Sequence, residues 1–342
     1  MAAVAMAGSF ERSHDANRHD GASSNNNVQN RNTMSGPIEH ADLDCHNKTL
    51  AGTEVKPGRI ATVGGGRILR VLPTKGRRTV GAWCFTDLSG TDAGQQQDPM
   101  EVGPHPHMGL ATVTWLLEGE ALHTDSLGSE QVIRPGELNL MHAGAGIAHS
   151  EQGGPTRFRG AQMWVAQPEG TRHDASGFEH HGELPRVEVG PAADATVFMG
   201  AIGDGPRSPA RMDTALIGAQ LDLRPGRTEV PVDVRHQHAI VPLDRPISVA
   251  GQRVEVGALA LVATGTDVLP LEARDLPTSV LLLGGEPLGE EIQMWWNFVA
   301  RTREELTQAW RDWQAHDEDR FGPVASSSGR IVAPTPPWIG AG

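Results

Sequence analysis

The chain has 342 residues, enough for two ordinary domains, and carries a formal net charge of −13. That charge repels phosphate backbones and argues against direct nucleic-acid binding, and no run approaches the ~20 apolar residues of a membrane span. The two cysteines, Cys45 and Cys84, make a structural disulfide unexpected and fit a reducing cytoplasm, while 41 glycines and 24 prolines point to a turn-rich β protein rather than a helix bundle.

Residues 1–55 are polar and low in complexity, with Ser23, Ser24, Asn25, Asn26 and Asn27 in a row. Such a segment cannot bury enough apolar surface to offset ordering entropy, so a disordered tail is expected. Met1 to Ala7 lacks a basic start and a full apolar core and is not read as a signal peptide. Met34 is an alternative start, and His14, His19, His40 and His46 read as solvated polar residues. From Ile60 the pattern changes. Ile68 to Leu72 and Val80 to Phe85 read as strands, and Asp87 to Pro99 as a polar loop, either a connector or a lid over the histidine-bearing strands after it.

Those strands occupy the stretch Gly103 to Glu151. Thr112 to Leu117, Val132–Ile133 and Leu138 to Met141 are short β-branched or apolar pieces between turns at Glu118–Gly119, Leu127–Gly128 and Arg134 to Glu137. Strands punctuated every ~8–12 residues mean a barrel or a sandwich. Two metal-ligand signals sit in this frame, His105-Pro106-His107 and His149-Ser150-Glu151. Residues i and i+2 of a strand share a face. Two such pairs facing each other would make a site of three imidazoles and one carboxylate, which suits a divalent first-row metal: Fe, Mn, Co, Ni, Cu or Zn. His123 and Asp125 form another same-face pair, either an outer hydrogen-bonding group behind a ligand imidazole or a plain hairpin turn; His142 either faces the site or points away from it.

Gly160 to Val165 reads as a further strand, and the polar run Pro168 to Pro185, with His173, His180 and His181, as a domain linker. A second round of the same architecture comes next: Thr214 to Leu223, Val230 to Val234, a hairpin over Ile247 to Val254, Gly257 to Ala263 and Val280 to Leu283. His236-Gln237-His238 repeats the first metal pair, yet Gly265 to Leu269 supplies no histidine for the other half, so this half is expected to hold no metal. Ile292 to Val299 reads as the last strand. Thr302 then caps a helix with Glu304 and Glu305 in its first turn and Leu306, Ala309, Trp310 and Trp313 on one face. The expected division is a tail over 1–55, a metal-binding domain over 56–175, a second domain over 176–300, a helical segment over 301–321 and a mobile tail over 322–342.

Four blocks in order, HPHMGLATVTWLLEGEALHTDSLG, IRPGELNLMHAGAGIAHSE, GAQMWVAQP and LLLGGEPLGEEIQMWWNFVARTREEL, resemble the pirin family of the cupin superfamily, over roughly Ala61 to Ala309. The resemblance implies an all-β fold of tandem cupin (jelly-roll) barrels with a C-terminal helix packed back on the first domain. It also implies iron, with His105, His107, His149 and Glu151 as ligands. For function it implies either a quercetin 2,3-dioxygenase-type enzyme, taking a flavonol-like molecule and dioxygen with Glu151 as the base, or a metal- and redox-sensitive regulator that binds a partner protein. The chain departs from the family where Met108 and Ala145 stand at positions usually held by arginine and Ala111 replaces a glutamate, so the site mouth is expected to be less basic.

Overall fold

The computed structural model describes residues 52–63, 66–90, 101–154 and 157–340. The readings of Met34, Cys45 and the tail histidines lie outside the described residues, as does most of the expected lid. Asp87 to Ser89, assigned to that loop, instead finish the strand Trp83–Ser89, where Asp87 accepts two hydrogen bonds from Arg70.

The strands form two sandwiches of the same plan, each a seven-stranded and a four-stranded antiparallel sheet. In the first, the large sheet runs Gly177–His181, Leu138–His142, Leu110–Glu118, Arg159–Ala166, Trp83–Ser89, Gly66–Leu72, Arg59–Val63. Its small sheet runs Glu101–His107, Ile147–Gly153, Ala121–Asp125, Glu130–Ile133. In the second, the large sheet runs Thr53–Pro57, Ala258–Val262, Gln237–Pro242, Thr278–Gly285, Leu216–Leu223, Ala193–Met199, Arg186–Gly190. Its small sheet runs Gly226–Pro231, Val268–Ala273, Ile247–Val249, Gln252–Val254. This is the tandem jelly-roll arrangement expected from the sequence.

Period-two patterning assigns the faces. Along Leu110–Glu118, the side chains of Ala111, Val113 and Trp115 join Ala239, Val241, Leu281 and Leu283 in one apolar cluster, so the two large sheets pack against each other. The alternate residue Thr114 faces the interior of its own sandwich and reaches Glu151. The turn before Trp83–Ser89 meets the second large sheet so closely that a Cβ on Gly81 would lie 2.6 Å from Gly285 Cα, which only glycine permits.

The structure differs from the expected division at four places. Thr53–Pro57 begins inside the expected tail and pairs with Ala258–Val262 of the second sandwich, while Gly177–His181, placed in the linker, pairs with Leu138–His142 of the first. The second sandwich is thus completed at an edge by a strand that precedes the whole first sandwich in the chain. Ile292 to Val299 is not one strand but a hairpin, Gln293–Trp295 with Phe298–Ala300, turning at Trp296 with φ 53°. The 322–340 segment, expected to be mobile, lies against the molecule: Ile331 N–H donates to Pro104 O at 2.8 Å and Trp338 Nε1 to Thr307 Oγ1 at 2.8 Å.

The helix Arg303–Gln314 is built as its sequence suggests, with Thr302 accepting from Glu305 N–H and Leu306, Ala309 and Trp313 buried. It packs with the Trp295–Phe298 hairpin against Met108 and Ala148 of the first sandwich. Each fully buried large side chain there contributes about 1.5–3 kcal/mol. Among the described residues no helix is long and apolar enough to cross a membrane.

Candidate metal centre

Glu101–His107 and Ile147–Gly153 lie side by side in the small sheet of the first sandwich, with His149 opposite His105 and Ile147 opposite His107. Alternation along the first strand turns both of its imidazoles inward, and pairing brings the third beside them. All three side chains are wholly buried. One ring nitrogen from each lies within 4.8 Å of the others, the only such grouping among the described residues, and His107 Nε2 stands 3.1 Å from His149 Nε2.

The outer nitrogens explain the inner ones. His105 Nδ1 donates to Gly103 O at 2.9 Å and His107 Nδ1 to Asn297 O at 3.2 Å. A carbonyl can only accept, so each Nδ1 carries the proton. His149 Nδ1 meets His123 Nδ1 at 3.2 Å, and His123 Nε2 meets Asp125 Oδ2 at 3.2 Å. With the carboxylate accepting from His123 Nε2, the proton between the two Nδ1 atoms belongs to His149. Asp125 is itself held through Oδ1 by the N–H groups of Leu127 and Ser129, and Phe178 stacks on His123 at 4.4 Å. Burial lowers the pKa of all three imidazoles, His105 to about 4, with the neighbouring imidazoles adding to the effect. At neutral pH each is therefore uncharged and presents a bare Nε2 lone pair. Two such lone pairs 3.1 Å apart repel unless a cation lies between them, and His105 Nε2 has no hydrogen-bond partner. Outer groups that fix the tautomer of each ligand are the usual support of a metal site, and the donor set fits a divalent first-row ion.

Glu151 lies further along the same strand, opposite His123, with a bulge separating it from His149 on the other side. Its carboxylate is buried and accepts from Thr114 Oγ1 at 3.5 Å. It lies outside the three-histidine grouping, so of the four ligands expected from the sequence three are brought together and the fourth stands beside them. Burial raises its pKa, with His123 and the Thr114 hydrogen bond pulling the other way. Trp164 meets His107 edge-on at 5.2 Å, and Phe85 stacks on Trp164 at 4.0 Å, walling this side with aromatic surface.

His123 and Asp125 thus back the His149 imidazole, and Asp125 serves the hairpin turn as well. His142 points away: its ring lies 3.9 Å from Glu179 and 4.0 Å from Asp213. His180 and His181 sit on a strand rather than in a loop, bonded to Asn139 and Glu179. A guanidinium does approach two of the positions where the chain departs from the family. Arg320, from the C-terminal segment, donates to Ala145 O at 3.0 Å and to Met108 Sδ at 2.8 Å, so one guanidinium touches both positions that lack an arginine. Asn297 and Arg320 were not foreseen, because both arrive from the far end of the chain.

The sequence model described as Pirin matches residues 65–165, and that described as the Pirin C-terminal cupin domain matches residues 219–322. The chain belongs to the pirin family. A Pseudomonas aeruginosa pirin relative, provisionally named a quercetin 2,3-dioxygenase, is 40% identical over 314 residues, covering 89% of this chain and 98% of its own. A pirin-like protein of Caulobacter vibrioides is 38% identical over 259 residues, covering 72% of this chain and 87% of its own. Among solved structures, a quercetin 2,3-dioxygenase from Acinetobacter baumannii superimposes with a TM-score of 0.77 at 38% identity, covering 83% of this chain and 95% of that one. A pirin from Escherichia coli, solved in complex with nickel(II), shares the fold at a TM-score of 0.53 and 18% identity, covering 69% of this chain and 99% of that one.

Proposed function

We propose that this pirin is a metal-dependent dioxygenase acting on a flavonol-like substrate, with iron as the metal. The observation that carries the reading is the set of three buried Nε2 atoms, each freed by a hydrogen bond at its Nδ1. The names of the Pseudomonas and Acinetobacter relatives supply the reaction class. His105, His107 and His149 would hold the ion, with Glu151 as its fourth protein ligand. When bound, such an ion supplies Lewis acidity and one-electron chemistry at the point where the imidazoles converge.

The remaining work falls to side chains. Glu151 takes the proton of the substrate hydroxyl on its carboxylate; burial raises its pKa and makes it a stronger base than an exposed glutamate. Thr114 holds that carboxylate from the facing sheet. His123, backed by Asp125, keeps His149 in the tautomer that leaves Nε2 free. Trp164 and Phe85 exclude water from the side of His107.

The test is anaerobic mixing of the iron-loaded protein with quercetin, followed by ¹⁸O₂ and product mass. A cleaved product bearing both labelled atoms is expected; recovery of unchanged flavonol overturns the proposal. Glu151→Gln should lower turnover by about 10²–10⁴-fold while leaving most of the metal in place. Equal loss of metal and turnover would reduce Glu151 to a ligand.

A further inference from the structure

The second sandwich has a cavity of its own. It measures ≈ 320 Å³ and opens at the junction between Gly226–Pro231 and Gln237–Pro242. These strands occupy the places that Glu101–His107 and Leu110–Glu118 hold in the first sandwich, so the cavity sits at the end equivalent to the metal centre. Ile202, Met212, Ile217 and Leu282 form one apolar wall, and the polar side carries His236 and His238 together with Asp204, Arg207, Asp233 and Arg235.

His238 projects to the same side of its strand as Ile240, which belongs to the aliphatic interior, and is 1% exposed. Neither of its ring nitrogens has a hydrogen-bond partner. Buried polar groups are almost always partnered, and leaving one unpartnered costs about 1–3 kcal/mol. The site around it is made to fit: a Cβ on Gly284 would lie 2.7 Å from His238 Cδ2, so glycine makes room for the ring. His236 stands 6.0 Å away, centroid to centroid.

Charge at the polar side balances: Asp204 and Arg207, both exposed, bring one charge of each sign. Asp233, 4.0 Å from His236 Nε2, accepts three hydrogen bonds from Arg235, which also pairs with Glu286. Burial lowers the pKa of both histidines, His238 to about 4. At neutral pH the two imidazoles are therefore uncharged, each with one donor and one acceptor. Two imidazoles make a poor metal trap, and the one three-ligand grouping among the described residues is in the first sandwich.

We propose that this cavity is a second binding site, for a small uncharged apolar molecule bearing one or two hydroxyl groups, which hydrogen-bond to His236 and His238 while the ring or chain packs on the apolar wall. The volume lies at the low end of ligand pockets, about 300–1,000 Å³. The proposal does not depend on the dioxygenase reading, because it involves none of the residues of the first site.

The test uses the full chain, zinc-loaded to stay diamagnetic and labelled with ¹³C-methyl methionine, titrated with resorcinol. Met212 lines the cavity, and Met141 lies beside Ile147 in the first sandwich as a control; Met212→Leu assigns the reporter. A saturable shift of Met212 is expected. His238→Leu should weaken it about tenfold, the worth of one lost hydrogen bond, and His238→Gln, which keeps a donor and an acceptor, should restore most of the affinity. Three results would overturn the proposal: a Met212 signal that resorcinol does not move, toluene binding as tightly as resorcinol in the wild-type chain, or a Met212 shift driven by excess zinc and reversed by a chelator.

Discussion

In the first sandwich the strands Glu101–His107 and Ile147–Gly153 turn three imidazoles and a carboxylate toward the interior. In the second, the equivalent strands Gly226–Pro231 and Val268–Ala273 bury Thr228, Val230, Leu269 and Leu271. One strand order thus frames two interiors. The second holds a continuous aliphatic cluster from Val189 to Leu282 and gains stability from apolar burial. The first gives up that filling around uncharged histidines whose outer nitrogens must all be partnered, and it takes aromatic and helical cover from the C-terminal hairpin and Arg303–Gln314. The contrast between the two interiors separates the needs of the fold from those of the chemistry.

The largest expected break of this contrast is His149→Ala. Metal content, measured by elemental analysis, should fall from about one ion per chain to near none, with turnover lost and the second sandwich intact. Unchanged metal content would place the ion elsewhere. Leu271→Ala should do the opposite. It opens a cavity in the second sandwich and should cost about 2–5 kcal/mol in denaturant unfolding, with the metal retained. A smaller effect is expected from His123→Leu, which leaves the inner ligands in place and removes the acceptor for His149 Nδ1; metal affinity, read by chelator competition, should fall about 10–100-fold. An unchanged affinity would return the His123–Asp125 pair to the role of a hairpin turn.

A further effect concerns pH. In the metal-free chain the buried imidazoles of His105, His107, His149 and His238 titrate below their ordinary value, His105 and His238 at about 4. As pH falls through about 6.5 the unfolded chain takes up protons that the folded chain refuses, so stability drops with falling pH down to about 4. The urea midpoint of the metal-free protein should therefore decline steadily between those values. Metal loading should raise stability across this range without flattening it, because metal-bound imidazoles also refuse protons that the unfolded chain accepts, and a flat profile without metal would contradict the assigned burial of neutral histidines.

Much of this was legible in the sequence because strand periodicity is local. His105 with His107, and His149 with Glu151, are readable as same-face pairs from their spacing alone, and the helix after Thr302 announces itself by its cap, its acidic first turn and its apolar face. Features that depend on distant pairing could not be read. Thr53–Pro57 joins the second sandwich and Gly177–His181 the first, and no pattern within either segment names its neighbour. The turn inside Gln293–Ala300 carries no glycine or proline, so the apolar run read as a single strand. Asn297 O, which sets the tautomer of His107, comes from 190 residues away, and Arg320 fills a place that local comparison left without a guanidinium. The bulge between Val102 and His105 shows only in the register with Ile147–Gly153, and nothing local announces it.

The most direct test is anomalous scattering from crystals of freshly purified protein at the absorption edge of the metal found by elemental analysis. One peak is expected, about 2.0–2.2 Å from Nε2 of His105, His107 and His149, with none at His236 and His238. No peak among the three imidazoles in metal-replete crystals, or a peak in the second sandwich instead, would contradict the assignment of the two interiors.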